Sequence, residues 1–389
     1  MKTALAILLL PSVAFAGGTA VGEQNAVSAA TAGAGVARAD DPGAAWHDPA
    51  ALADDGGMRV GFSLTFAHPS LEAQTTGGNF DASTWATPPH LDASFAHDHW
   101  AAGIALGVPF GGGVAWPLMW PGANESVRTD LQVFRAAPFF AYRFGKLRVA
   151  AGVHFDQGRL QIQRGLDFID IQGDVKLDLA GHGFGADASL YYQARTDLGL
   201  GLAYRGRTHL ALGGNANFTA PDAFSEKTPD QTASTAMTLP DQLVLGGRWT
   251  RGELALLADL EYTAWHVNRS TVIAFANPST PQATQDNSWH DTLAVRVGGE
   301  LARGKLVARG GAYYDPSPVP TDHLSPTAPD GTRLGLTIGA SYRLSPAWTA
   351  DAFGEVMEIL RRQTTSADTM PASYGGTAVI LGAGVRWTR

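Results

Sequence analysis

From Met58 to its end the chain alternates apolar and polar residues in one segment after another. Leu334, Leu336, Ile338, Ala340, Tyr342 and Leu344 are apolar, with Arg333, Gly335, Thr337, Gly339, Ser341 and Arg343 between them. Leu198, Leu200, Leu202 and Tyr204 stand against Arg205 and Arg207, and Val379, Leu381, Ala383, Val385 and Trp387 against Gly382, Gly384 and Arg386. A period of two places the sets on opposite faces of a strand. In a soluble sandwich the polar face meets water, whereas in a membrane barrel lipid takes the apolar face and the lumen the polar one.

The alternation predicts fourteen strands, at about 58–68, 89–97, 99–110, 129–144, 147–162, 179–194, 197–212, 237–250, 253–268, 291–302, 305–315, 332–344, 347–360 and 376–388. A tilted strand needs about 9–11 residues to cross a bilayer, and these segments are long enough. Short turns at Phe144-Gly145-Lys146, Arg195-Thr196-Asp197, Arg251-Gly252 and Arg303-Gly304 alternate with longer loops. That rhythm, with an even count, matches a bacterial barrel with periplasmic turns and both termini in the periplasm. Trp100, Trp249, Trp265, Trp348 and Trp387 fall near strand ends, the headgroup level that amphipathic rings favour. The expected fold is therefore all-β, a transmembrane antiparallel barrel over residues 58–389.

Two N-terminal segments depart from the alternation. Lys2, the apolar run Ala4 to Leu10, Pro11 and the small-residue end Ala14-Phe15-Ala16 predict a signal peptide over 1–16. Residues 17–57, rich in Ala and Gly with the acidic turn Asp40-Asp41-Pro42, read as a compact irregular domain. The expected location is the bacterial outer membrane.

Composition adds less. At 389 residues, 45% hydrophobic and 16% charged, the chain suits one large barrel or several soluble domains equally. The net charge of -8 argues against nucleic acid as a partner, and the absence of cysteine excludes disulfide frameworks and thiolate metal sites. By parity Arg59, Asp92, Arg135, Arg143, Arg148, His154, Asp156, Asp187, Arg205, Arg207, Arg248, Asp259, Glu261, Arg296, Glu300, Arg309, Arg333, Arg343, Asp351 and Glu355 face the lumen. A wide aqueous pore would leave these groups solvated, whereas a lumen filled by a plug would force them to pair, since an unpaired buried charge costs several kcal/mol.

Catalytic and cofactor chemistry find little support. His154 and Ser189 lie on adjacent strands with Asp156 and Asp187 nearby, but point away from arriving lipid; in the expected register Asp156 would oppose Asp187. His97-Asp98-His99 sits in a turn without further identifiable metal ligands. No phosphate loop or dinucleotide fingerprint occurs, so no cofactor is expected.

Particular residues carry a family likeness. Ala32-Gly33-Ala34-Gly35-Val36-Ala37, then Ala39-Asp40-Asp41, then Asp48-Pro49-Ala50, with Val108-Pro109-Phe110-Gly111, Leu239-Pro240-Asp241, Tyr262-Thr263-Ala264-Trp265 and Asp315-Pro316-Ser317-Pro318-Val319-Pro320, resemble the ordered motifs of FadL-type outer-membrane transporters for long-chain fatty acids and other hydrophobic compounds. The resemblance implies a fourteen-stranded barrel with an N-terminal hatch whose motif includes Asp40, Asp41, Asp48, Pro49 and Ala50. It implies passive inward transport of a fatty acid, hydrocarbon or aromatic compound, with a lateral opening at the third strand. Gly107, Pro109, Gly111, Gly112 and Gly113 are expected at that opening, where the strand ends. Proline removes a ladder donor and glycine weakens pairing there. Trp116, Leu118, Met119 and Trp120, then Leu166, Phe168, Ile169 and Ile171, are expected to capture ligand in external loops, the alternative being packing over the barrel mouth.

The chain departs from the family where Asp48 replaces Asn, where the external loops look short, and where Thr388 and Arg389 follow Trp387. Outer-membrane lipid, lipopolysaccharide and the barrel-assembly machinery are the other implied partners of a monomer. A narrow pore for polar solutes and a structural or adhesin barrel are the competing readings.

Overall fold

The computed structural model describes residues 18–54, 56–168 and 172–389. The expected signal peptide, Ile169 and Ile171 lie outside the described residues.

In chain order the strands are β1 (Gly57–Thr75), β2 (Gly78–Ser83), β3 (Pro89–His97), β4 (Trp100–Ala115), β5 (Arg128–Phe144), β6 (Leu147–Asp167), β7 (Gln172–Arg195), β8 (Leu198–Arg205), β9 (Thr208–Thr219) and β10 (Gln231–Leu239). There follow β11 (Gln242–Arg251), β12 (Leu254–Thr263), β13 (Ser270–Phe275), β14 (Ala283–Asp286), β15 (Thr292–Arg303), β16 (Leu306–Asp315), β17 (Arg333–Arg343), β18 (Trp348–Gln363) and β19 (Ala372–Thr388). They form a closed antiparallel barrel of 14 staves. Interruptions split single staves into β2 with β3, β8 with β9, and β10 with β11. The barrel closes where β1 pairs with β3 on one side and with β19, Arg59↔Thr388 to Thr75↔Ala372, on the other. Glycines with positive φ at 145, 252 and 304 make the tight turns at the rim where the start of β1 meets the C-terminal Arg389.

The side-chain pattern matches a lipid-facing exterior. Leu336 is 70% exposed while its neighbour Thr337 is 3% exposed and faces inward. Arg207 departs from its expected place: β8 ends at Arg205 and β9 starts at Thr208, so the irregular Gly206-Arg207 step changes the parity. Arg207 lies on the exposed face and pairs with Asp241 at 2.6 Å.

Residues 18–54 pack against inward-facing side chains. They hold two single-turn helices, α1 (Ala26–Ala29) and α2 (Ala44–His47), and a 3₁₀ turn, Pro49–Leu52. Such short helices are not stable alone, so caps and barrel contacts must hold them. Asn25 caps α1 by accepting from the Ser28 amide at 2.9 Å, and Asp48 caps the 3₁₀ turn. Asp41 meets Arg386 at 2.7 Å, Arg38 meets Glu300 at 2.6 Å, and Asp259 accepts from the amides of Gly35 and Val36 at 2.8 and 3.0 Å. Gly298 and Gly311 permit the close approach, because a Cβ at either would lie 2.6–2.7 Å from Thr31.

Candidate ligand cavity and wall break

The tall staves β6 and β7, of 21 and 24 residues, far exceed the length needed to cross the membrane. Their inward face changes character along its length. Asp187 and Ser189 on β7, and His154 and Asp156 on β6, are polar; farther from the rim that carries Arg389 the same face carries Val175, Leu177 and Leu179, and Leu160. The outward face changes the other way, from Phe184 and Leu190 to Lys176 and Asp178. This is the expected result of leaving the bilayer: water surrounds the projecting wall, so the apolar residues turn inward.

That inward face lines a cavity of about 250 Å³, with Leu71, Val114, Leu131, Met237, Leu239, Trp265, Ile273 and Trp289 contributing from other staves and loops. Gly18 and Thr19 reach the cavity from the N-terminal segment. Arg164, on the same parity as Leu160 and Ile162, also lines it, and among the described residues its guanidinium has no hydrogen-bond or ion-pair partner. Glu125 by contrast is occupied, accepting from the Thr369 hydroxyl and, at 2.6 Å, the Met370 amide.

The wall changes beside this cavity. The β3–β4 ladder runs from His97↔Trp100 only to Leu91↔Leu106, whereas β4 stays paired with β5 out to Ala115↔Arg128. Gly107, Pro109, Gly111, Gly112 and Gly113 therefore lie within the third stave, not at its end. The strand persists because one flank keeps its ladder, with a bulge between Gly107 and Phe110. On the other flank the N-terminal segment supplies pairing: the Val21 amide donates to Pro109 O at 3.0 Å, the Gly111 amide donates to Thr19 O at 2.7 Å, and Gln24 Nε2 donates to Val108 O at 2.8 Å. Arg333 donates to Gly18 O and Ala20 O from across the lumen, at 3.2 and 3.3 Å.

The expected capture residues divide. Leu118 and Met119 are 69% and 91% exposed, but Trp116 and Trp120 are buried and stacked at 4.5 Å. Their indole nitrogens donate to Pro326 O and Ser126 O, so both rings pack the external structure. Leu166 and Phe168 are half-buried; Leu166 pairs with Gly173 inside the β6–β7 ladder, which extends through residues expected to be loop, and Phe168 packs on Phe224 at 4.7 Å.

His154 pairs with Gly185 in the ladder, not with Ser189, which lies opposite Ala150. Its Nδ1 meets Asp187 at 2.9 Å and its Nε2 meets Thr208 at 2.9 Å, while Arg135 holds Asp156 through two 2.8 Å bonds. Ser189 instead accepts from the Ala50 amide at 3.1 Å. His97 and Asp98 sit exposed in their turn, 3.1 Å apart.

In the hatch motif Asp40 meets Arg248 at 2.9 Å, Asp41 accepts from the Gly43 amide as well as from Arg386, and Pro49 opens the 3₁₀ turn. Asp48 is fully buried, with Oδ1 accepting from the Ala50 amide at 3.1 Å and Oδ2 without a partner. Burial pushes its carboxyl up to about 8, against the Ser189 hydroxyl, the Ala50 and Ala51 amides and the Arg148 charge. An unfolded aspartate titrates near 3.9, so the folded protein holds the extra proton between these values. The contribution of this carboxyl to stability is therefore full below pH ~4 and is lost as pH rises through the folded value, by up to about 5 kcal/mol. Asp48→Asn should flatten this dependence. The check is the urea midpoint in detergent at pH 5 and pH 9: the wild type should lose more than the variant, and parallel losses would refute the assignment.

Residues 7–388 match the family model described as outer membrane protein transport protein (OMPP1/FadL/TodX). The chain belongs to this family. It is 24% identical over 190 residues to the long-chain fatty acid transport protein of Escherichia coli, covering 45% of this chain and 42% of that protein. It is 27% identical over 178 residues to outer membrane protein P1 of Haemophilus influenzae, covering 45% and 38%. The matched part is thus less than half of either relative. A Pseudomonas aeruginosa FadL homologue shares the fold at TM-score 0.85 and 17% identity, over 95% of this chain and 99% of that one. The Ralstonia pickettii toluene transporter TbuX does so at TM-score 0.71 and 19% identity, over 93% and 98%. The chain is an outer-membrane barrel of a transport family.

The sequence reading missed the cavity lining. Of that lining, Leu160 and Ile162 on β6 and Leu177 on β7, the last between the packed Val175 and Leu179, follow an alternation as clear as any strand's. Their signal was a period of two whose apolar set falls on the face that is polar lower in the same stave.

Proposed function

We propose that the protein carries apolar molecules with an anionic head, of the fatty-acid class, inward across the outer membrane down their gradient. The observation that carries this reading is Arg164, a cation without a partner among the described residues, in a mainly apolar cavity whose two acids, Glu125 and Asp330, are held by other groups. At about 250 Å³ the cavity is smaller than the ~300–1,000 Å³ usual for small-ligand sites, so it suits a head and the nearer part of a tail. Leu118 and Met119 make the first contact outside. Residues 17–57 act as the plug. Ligand entering against Gly18 and Thr19 releases Thr19 to Val21 from β4, and the tail leaves sideways between β3 and β4 into the bilayer.

A second reading, transport of neutral monoaromatic compounds, is favoured by the Trp265–Trp289 pair at 5.2 Å, both rings lining the cavity. Calorimetry with dodecanoate, dodecanol and toluene separates the two. A charge-assisted hydrogen bond contributes about 1.5–3 kcal/mol, so Arg164→Gln should weaken dodecanoate binding roughly 10- to 100-fold and leave dodecanol unchanged. Equal loss for both would remove Arg164 from head recognition. Tight toluene binding without dodecanoate binding would establish the second reading.

A further inference from the structure

Trp265, expected near a strand end at the headgroup level, is instead 3% exposed and lines the ligand cavity. The stave β12 ends at Thr263, and the 3₁₀ turn Trp265–Val267 that follows carries the ring into the apolar cluster of Phe110, Leu131, Leu160 and Leu177. The backbone of this turn is fixed, because the Ala264 amide donates to Asp241 O and the Asn268 amide to Trp265 O, both at 2.9 Å. Only the ring is left to move.

Two neighbours of that ring belong to the interface between the N-terminal segment and β4. A Cβ at Gly18 would lie 2.5–2.9 Å from Cζ2, Cη2 and Cε2 of Trp265, so the ring rests directly on the Gly18 backbone. Gly18 has φ +67°, a conformation that glycine adopts without strain. Phe110 stands edge-on to the same ring, at 6.0 Å and 82°. It is 1% exposed and faces Ala20 in the bridge that joins the segment to the wall. Trp289, which also lines the cavity, crosses the ring at 5.2 Å and 67°.

The ring thus meets the cavity, the segment and the wall strand at once. Protein interiors are close-packed and pass between discrete arrangements rather than yielding gradually. A ligand tail packed beside the ring turns it toward Gly18 or Phe110, and Gly18 leaves it no slack. Among the described residues the segment is held to this flank of β4 by two backbone bonds and the Gln24 side chain. We propose, on the reading that ligand releases Thr19 to Val21, that Trp265 is the positioning residue for that release: a tail in the cavity displaces its ring, and the ring parts the segment from β4.

The chain has no cysteine, so Ala20→Cys in the full-length protein is a single thiol whose reaction with a maleimide, in dodecyl maltoside, reports the segment leaving β4. Dodecanoate should speed that reaction by roughly 5- to 150-fold, the usual range for two coupled sites. With Trp265→Leu added the acceleration should vanish, each protein being compared at a dodecanoate concentration that calorimetry shows to fill its site. Gly18→Ala, whose Cβ cannot fit against the ring, should instead react fast without ligand. A Trp265→Leu protein that dodecanoate still accelerates, or a Gly18→Ala protein that stays slow without ligand, would overturn the role of the ring. So would a Trp265→Leu protein that reacts fast before ligand is added, because the ring would then be only a clamp. Should Trp265→Leu fail to insert or to bind, Trp265→Phe, whose shorter side chain stops short of Gly18, carries the same comparison. Loss of binding in both would make the ring part of the ligand site alone. No acceleration in the Ala20→Cys protein at full occupancy would remove the release reading itself, and the role of Trp265 with it.

Discussion

Deletion of residues 17–57 should convert a closed barrel into an ion-conducting pore. The ring of staves does not depend on this segment, since β1 completes its own ladders with β3 and β19, although the upper flank of β4 loses the cover of Thr19 and Val21. The lumen charges do not depend on it wholly either. With Asp41 gone Arg386 keeps Asp351 at 2.7 Å, and with Arg38 gone Glu300 keeps Arg309 and Arg248 at 2.6 and 3.0 Å. What the deletion leaves unpartnered includes Asp259, now without the Gly35 and Val36 amides, Arg59 without Asp54, Arg148 and Arg205 without the Ala51, Trp46 and His47 carbonyls, and the inner surface around Gly298 and Gly311 that Thr31 covered. A carboxylate stripped of its donors in a dry site costs several kcal/mol, and admitting water removes most of that cost. The emptied lumen should therefore fill with water and conduct. Single-channel recording in planar bilayers is the measurement: full-length protein should stay near baseline and the deletion should show discrete openings. Unchanged conductance in an inserted deletion variant would mean that 17–57 does not obstruct the lumen.

The barrel was legible because its signal is local and repeated. Each segment such as Leu334 to Leu344 states its own face, and its exposed Leu336 beside buried Thr337 agrees. Strand ends were less legible, because β6 and β7 keep their ladder beyond the membrane while exchanging which face is apolar. A reading tuned to polar-inside strands stops where that exchange occurs, near 162 and 179, and so took the cavity wall for loop. The Trp116 and Trp120 placement was out of reach for another reason. Their burial depends on residues distant in sequence, Pro326 and Tyr374 for Trp116 and Phe80 for Trp120, which no local period encodes. The role of Thr19 to Val21 was equally hidden, since three small or aliphatic residues carry no chemistry until β4 presents an edge to them.

Tying the N-terminal segment to that edge should abolish uptake without abolishing binding. Ala20 and Phe110 face each other in an antiparallel bridge. Residues directly opposite in such a pair have Cα atoms about 4.5–5.5 Å apart, inside the ~4.4–6.8 Å range of disulfides. Because the chain has no cysteine, Ala20→Cys/Phe110→Cys introduces a single defined link with no competing thiol. In the oxidised protein Thr19 and Val21 stay on Gly111 and Pro109, so the flank of β4 that lacks a stave partner stays covered. The cavity above is built mostly by other residues, including Leu160, Leu177 and Trp265, and should still take ligand. The prediction is that oxidised cells fail to take up labelled dodecanoate, that reductant restores uptake, and that purified oxidised protein binds dodecanoate as the reduced form does. Reversibility separates a blocked step from a misfolded barrel, because the same chains recover. If oxidised and reduced cells took up ligand at equal rates with the link verified by gel mobility, release of the N-terminal segment from β4 would not be part of transport, and passage through the lumen beside an unmoved segment would become the better account.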